Sequence, residues 1–248
     1  MRRQHIGGRA MSLTFAVPES ALWRDELWDT VLDLSGLLDD DSWVLVGFQA
    51  VTAHALARGV DEVAVSSRDE TPGRLVTSLA GMPGVMRALT YLGFEAEGLH
   101  QLHLSQFRYT RGAEGAAREN RAQSWVVHVA GAADETGGDQ ALDRREPYLV
   151  SKGMRAPLVP VPSLLASIVY EAAQFGTNTT APFVHARDTA FLVSLLEDPA
   201  AARAALTAAD LRTLRSLDAA VGHPSHSVWR RLPAGRDAFG RWKLLLAV

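Results

Sequence analysis

The residues that could do chemistry in this chain of 248 residues are few and scattered. "VHARDTAF" sets His185, Arg187 and Asp188 within about one helical turn. An Arg–Asp pair at that spacing would tie two helices together. "GHPSHSVW" offers His223 and His226 among Ser225 and Ser227, residue types that suit a metal site or a hydrolase. Two histidines three apart in a loop lack a third ligand, so a plain surface loop is the expected reading. His128 in "SWVVHVAG" and Glu171 in "IVYEAA" stand in apolar surroundings. A histidine transfers protons near neutral pH when a carboxylate orients it, yet each residue alone reads as a satisfied core group. No G-x-S-x-G elbow and no phosphate-binding P-loop occurs.

Composition bounds what these groups can serve. Hydrophobic content of 47% and charged content of 21% describe a globular protein with one large domain or two small ones. A net charge of -3 gives no general attraction to nucleic acid or anionic lipid. All but two of the 25 basic residues are arginine, which reads as genome bias. A nucleic-acid partner is therefore not expected, although Arg108, Arg111, Arg118 and Arg121 around one loop could meet phosphates. Cysteine is absent, so thiolate chemistry and disulfides are excluded. No apolar run reaches the roughly 18 residues of a membrane span. "MRRQHIGGRA" has no apolar segment behind its arginines, and the expected location is the cytoplasm.

The elements that must position the candidates divide the chain into an α/β (α+β) part, residues 1–150, and a helical part, residues 151–248, expected to form one cooperative unit. Leu27, Val31, Leu34 and Leu38 recur at helical spacing and predict an opening amphipathic helix. "SWVLVGF" reads as a buried strand, "QAVTAHALAR" as a helix with Val51 and Ala55 on one face, and "EVAVSS" as a second strand. "TPGRLVTSL" and "PGVMRALTYLGF" read as a helix broken at "GMPG". "HLSQFRYT" and "SWVVHVAG" read as strands, and "GAADETGGDQ" as a flexible connection. From Val161 the pattern is helical, with Leu164, Leu165, Ile168, Phe191, Leu192, Leu195 and Leu196 as expected core. "TAADLRTLRSLDAAVG" opens with a capping signature and closes on Gly222.

The ordered set "WVLVG-Q-V--HAL", a strand, "GF" before another strand, "VPSLLASIV-EAA" and "H-RDTAFLVSLLEDP" resembles the nucleotidyltransferase-fold proteins of the abortive-infection (AbiEii-like) toxin type. The similarity covers roughly residues 43 to 224. It implies a small mixed sheet with helices, followed by a helical half that covers the cleft. In that family a turn of two small residues lets the nucleotide phosphates approach. Two acids at alternate strand positions and a third on a later strand hold Mg²⁺, and a helical lysine meets the remaining phosphates.

The chain departs from that pattern at nearly every point. The small pair is Gly47-Phe48, and Val60 and Glu62 take the places of the two acids. A shift of one residue brings in Asp61, still without an Asp-x-Asp pair. His128 replaces the third acid, and Glu171 stands where the lysine is expected. Like charges about 4 Å apart at an effective dielectric near 20 repel by roughly 4 kcal/mol, so Glu171 would expel a phosphate. The expectation is therefore no metal, no cofactor and a small-molecule substrate without a triphosphate. Glu62, His128 and Glu171 would be the acid/base set. Gly47, Phe48, Gln49, Ser66, Arg68, Tyr170, His185, Arg187 and Asp188 would be the substrate-binding residues of a metal-independent enzyme or binder. A toxin-type transferase acting on RNA or protein and a non-catalytic partner are the alternatives.

Overall fold

Every position of "WVLV" is apolar, and Trp43–Val46 (β2) is accordingly buried on both faces. The computed structural model describes residues 13–18, 25–60, 73–99, 106–111, 125–177 and 182–247. β2 is the edge of a five-stranded mixed sheet, ordered β2, Gly73–Thr77 (β3), Trp125–Gly131 (β6), Gln106–Arg111 (β5) and Glu95–Leu99 (β4). Only β3 and β6 are parallel; the other neighbours run antiparallel. Asp25–Leu37 (α1), Phe48–Leu56 (α2) and Met82–Tyr91 (α3) are interleaved with these strands, and Gly138–Asp143 (α4) follows them. A three-stranded sheet joins Leu13–Ala16 (β1), Arg145–Ser151 (β7) and Leu158–Pro162 (β8). Six helices complete the order: Leu164–Thr177 (α5), Pro182–Ser194 (α6), Pro199–Ala204 (α7), Ala208–Val221 (α8), Ser227–Arg230 (α9) and Gly235–Leu246 (α10). The class is α+β, as the sequence implies. Among the described residues no helix is long and apolar enough to cross a membrane.

Strand alternation sorts the large sheet into two faces. Trp43, Leu45, Leu75, Val127 and Val129 pack with Trp28, Val31, Leu32 and Leu34 of α1 and Val85 and Leu89 of α3. Val44, Val46 and Val76 form the opposite face, against Ala141 and Leu142 of α4 and Tyr170 of α5. The helical half has its own core around Ile168, Phe191, Leu192, Leu196, Leu214, Trp229 and Trp242, with Leu164, Leu165 and Leu195 partly buried at its border. Helix α2 belongs to both halves: Ala50 and Ala53 enter the sheet core, while Val51 and Ala55 enter the helical one. The two halves therefore share buried apolar surface, at about 25 cal/mol per Å² removed from water. The expected cap is formed: Thr207 and Asp210 exchange hydrogen bonds of 3.1 and 2.9 Å at the start of α8.

Two segments differ from the sequence expectation. "TPGRLVTSL" is not helical; its core is β3, flanked by β2 and β6. Leu75 and Val76 are consecutive and bury on opposite faces, which a strand allows and a surface helix does not. The interruption at "GMPG" is instead the start of α3, with Pro83 in its first turn, where the missing N–H costs nothing. "GAADETGGDQ" is not a flexible connection but a 3₁₀ turn, residues 132–134, running into α4. Gly138 is needed there for packing, since a Cβ would stand 2.6 Å from the Ala132 carbonyl oxygen. The readings placed on Asp61, Glu62, Ser66 and Arg68, with the strand "EVAVSS", lie outside the described residues.

Candidate functional site

Arg74 is a charged residue in the middle of a buried sheet, and its surroundings follow from that. On β3 it is flanked in register by Val46 of β2 and His128 of β6, and His128 by Arg108 of β5. All four therefore share the face that packs on α4 and α5. Gly47, at φ +70, turns the chain from β2 into α2 with its Cα beside the Arg74 side chain. The Arg74 guanidinium donates to Glu135 Oε1 at 2.5 Å, and the Tyr170 hydroxyl donates to the same oxygen at 3.0 Å. Glu135 is buried, so this is a largely desolvated ion pair. Burial works against the Arg74 charge, but Tyr170, Glu135 and Glu171 outweigh it and raise its pKa further. Burial likewise pushes the Tyr170 hydroxyl well above its usual pKa and keeps it a donor.

Next to Tyr170 along α5 stands Glu171, and its side chain meets α6. Glu171 Oε2 accepts from His185 Nδ1 at 2.7 Å, with both groups buried. Asp188 lies one turn further along α6, also buried, and one ligating atom from each of Glu171, His185 and Asp188 lies within 4.8 Å of the other two. Among the described residues this is the only such group of potential metal ligands. Glu171 is also among the groups that raise the Arg74 pKa, the smallest of them.

The residues singled out from sequence separate in space. Glu171, His185 and Asp188 converge, whereas Tyr170 beside them bonds to Glu135. His128 is half-buried on β6 beside Arg74. Arg187 is half-buried on α6. Phe48, the first residue of α2, packs on the helical core, and Gln49 beside it is buried with its Oε1 unbonded. Glu62, Ser66 and Arg68 are not described. His223 and Ser225 bond to each other at 2.6 Å on the surface, while His226 caps α9 and stacks on Phe183. That loop gathers no third ligand. Of the two lysines, Lys152 pairs with Asp29 and Lys243 with Asp218, each at 2.8 Å, so neither serves α5.

Nothing in the sequence marks Arg74 or Glu135 as site residues, since one sits in a segment with a helical reading and the other among glycines. The same holds for a second buried histidine. His54 Nδ1 faces the Tyr148 hydroxyl at 2.8 Å and Arg58 at 3.4 Å, while Nε2 faces Ser167 Oγ at 2.8 Å. Burial, then the Arg58 charge, lowers the His54 pKa to about 3, and burial raises that of Tyr148 to about 12. Arg58 can only donate and Tyr148 keeps its proton, so Nδ1 is the acceptor and Nε2 carries the hydrogen toward Ser167. Ser167 in turn reaches the Pro162 carbonyl. The tautomer is the wrong one for a base acting on serine; this trio is structural.

No family model, curated protein or solved structure matches the chain. The functional argument therefore rests on the geometry above.

Proposed function

We propose that the chain is a small-molecule enzyme or binder built on a nucleotidyltransferase-like scaffold whose nucleotide apparatus has been replaced. Arg74 is the observation that carries this reading. β2, the Gly47 turn and α2 keep the order of the resemblance, whose next strand "EVAVSS" lies outside the described residues; the described strand that returns beside β2 is β3. The alternate positions of that strand facing α5 are Arg74 and Val76, and the adjacent strand offers His128. A fixed guanidinium thus stands on the sheet face turned toward α5. It repels a divalent ion at that point and attracts an anionic group, in surroundings dry enough to strengthen the attraction. The Glu171–His185 pair, a short distance along the wall, is suited to moving a proton. Among the described residues a triphosphate finds no lysine and no pair of sheet-borne acids here, so the substrate class is a small molecule without one.

Calorimetric titration with the four nucleoside triphosphates and Mg²⁺ tests the reading, and silence is expected. Micromolar, Mg²⁺-dependent binding of any of them would overturn it and favour a toxin-type transferase. A thermal-shift screen of small carboxylates and other monoanions supplies the positive arm, with any hit expected to vanish in Arg74→Met. One observation favours a second reading, a non-catalytic partner protein: Arg74 with Glu135 and Glu171 with His185 are already paired internally. A screen without hits would leave that reading ahead.

A further inference from the structure

We infer that Glu171, His185 and Asp188 form a site for one divalent transition-metal ion held between α5 and α6. This deepens the proposed function, resting on it only in taking the same cluster as the working site. His185 and Asp188 are three apart on α6 and so lie on one face, one turn apart. Glu171 projects from the facing helix, and the three ligating atoms lie within 4.8 Å of one another in the interior. Helix pairs carrying inward carboxylates and a histidine at this spacing are a recurrent way of building metal sites in helical cores. Tetrahedral donors to a common Zn²⁺ at 2.0–2.2 Å sit about 3.3–3.6 Å apart. Glu171 Oε2 and His185 Nδ1 are 2.7 Å apart and open by about 0.6–0.9 Å to admit the ion, while the Asp188 ligating atom already lies within 4.8 Å of both.

Burial points the same way. Glu171 and Asp188 are each about 1% exposed and His185 7%, so an ion held between the three donors is shielded from bulk water. The donor set selects the ion: one imidazole with two carboxylates suits Zn²⁺, Mn²⁺ or Co²⁺, whereas all-oxygen sites suit Mg²⁺ and Ca²⁺. On metal binding His185 presents Nδ1 as a lone pair, with its hydrogen on Nε2. A metal at this place differs from the sheet-held Mg²⁺ of the resemblance in its ligands, its position and its softness.

The experiment uses the whole chain, stripped with a chelator and titrated with Zn²⁺, Mn²⁺ and Co²⁺ by calorimetry, with Mg²⁺ alone as the control. We expect one ion per chain, no comparable Mg²⁺ binding, and a Co²⁺ absorption spectrum typical of mixed nitrogen–oxygen ligation. Asp188→Asn and Glu171→Gln nearly preserve side-chain shape. Each should weaken binding by more than the roughly 10–100-fold that loss of an outer partner costs, and each should keep the native circular dichroism spectrum. If both misfold, His185→Gln gives the same readout. Absence of stoichiometric binding, or affinity within tenfold of the parent in every folded variant, overturns the inference. That failure is distinct from failure of the proposed function, which is decided by Mg-nucleotide binding and by the monoanion screen.

Discussion

His54 and His185 are both buried, both bonded through Nδ1 and both wedged between helices and neighbouring elements, yet they belong to different kinds of site. His54 has a hydroxyl on each side, and burial, then the Arg58 charge, holds it neutral. Every polar atom of its ring has a partner, and the tautomer those partners select cannot activate Ser167. His185 is bonded to a carboxylate with a second carboxylate nearby. A buried histidine is therefore informative through the charge of its neighbours and the tautomer they impose, while burial alone says little. The first arrangement fixes three segments to one another; the second stores charge that a proton, an ion or a ligand can answer.

The largest effect should come from breaking the charged Arg74–Glu135 unit. Glu135→Ala leaves Arg74 with one desolvated counter-charge fewer and Tyr170 without an acceptor. Removing one partner of a buried pair costs about 3–5 kcal/mol, and equilibrium urea unfolding should record a loss of that size. A loss under about 1 kcal/mol, the usual worth of an exposed pair, would show that the unit is as solvated as a surface bridge and erase the contrast with His54.

Next in size is a pH effect that belongs to the neutral site. His54 has its pKa lowered to about 3 in the folded protein, against 6.5 for the free residue. The unfolded chain thus binds the proton more tightly, and the stability due to a neutral His54 is fully present above pH 6.5 and lost as pH falls toward 3. Between pH 6.5 and 5, before most carboxylates titrate, the loss should approach about 2 kcal/mol at 1.36 kcal/mol per unit. Denaturation midpoints measured across this range should fall in the parent and stay nearly flat in His54→Gln. An equal slope in both would mean that His54 is not the group responsible.

What the sequence made legible, and what it hid, follows the same division. Periodicity over a dozen residues or more disclosed α1, α5, α6 and α8, because amphipathic burial repeats within the element itself. The strand–turn–helix around Gly47 was legible for the same local reason. β3 was not, since five residues carry too little pattern and its strand character comes from register partners on β2 and β6 that are distant in sequence, such as Trp43 for Thr77 and His128 for Arg74. Glu135 was hidden among glycines whose compositional message is flexibility, although Gly138 serves close packing. Glu171, His185 and Asp188 were each noticed, but their meeting depends on how α5 packs against α6. His54, Tyr148 and Ser167 come together across 94 and 113 residues, and no spacing rule foretells that.

The smallest predicted effect separates the two histidines most finely. Tyr148→Phe removes one donor from His54 Nδ1 and keeps the ring that packs edge-on at 5.5 Å. Arg58 still reaches Nδ1 at 3.4 Å, so the nitrogen is not orphaned. The expected cost is that of one neutral hydrogen bond, about 1 kcal/mol, read as a shift in urea midpoint at unchanged slope. Because the substitution leaves Arg58 as the nearby charge, the imidazole should remain neutral and metal binding at Glu171, His185 and Asp188 should be unaffected. A cost several times larger would mean that Tyr148 sets the tautomer and that Ser167 loses its donor with it. A change in metal affinity would show the two sites to be coupled through α5, which carries both Ser167 and Glu171, and the distinction between a closed neutral site and an open charged one would fail.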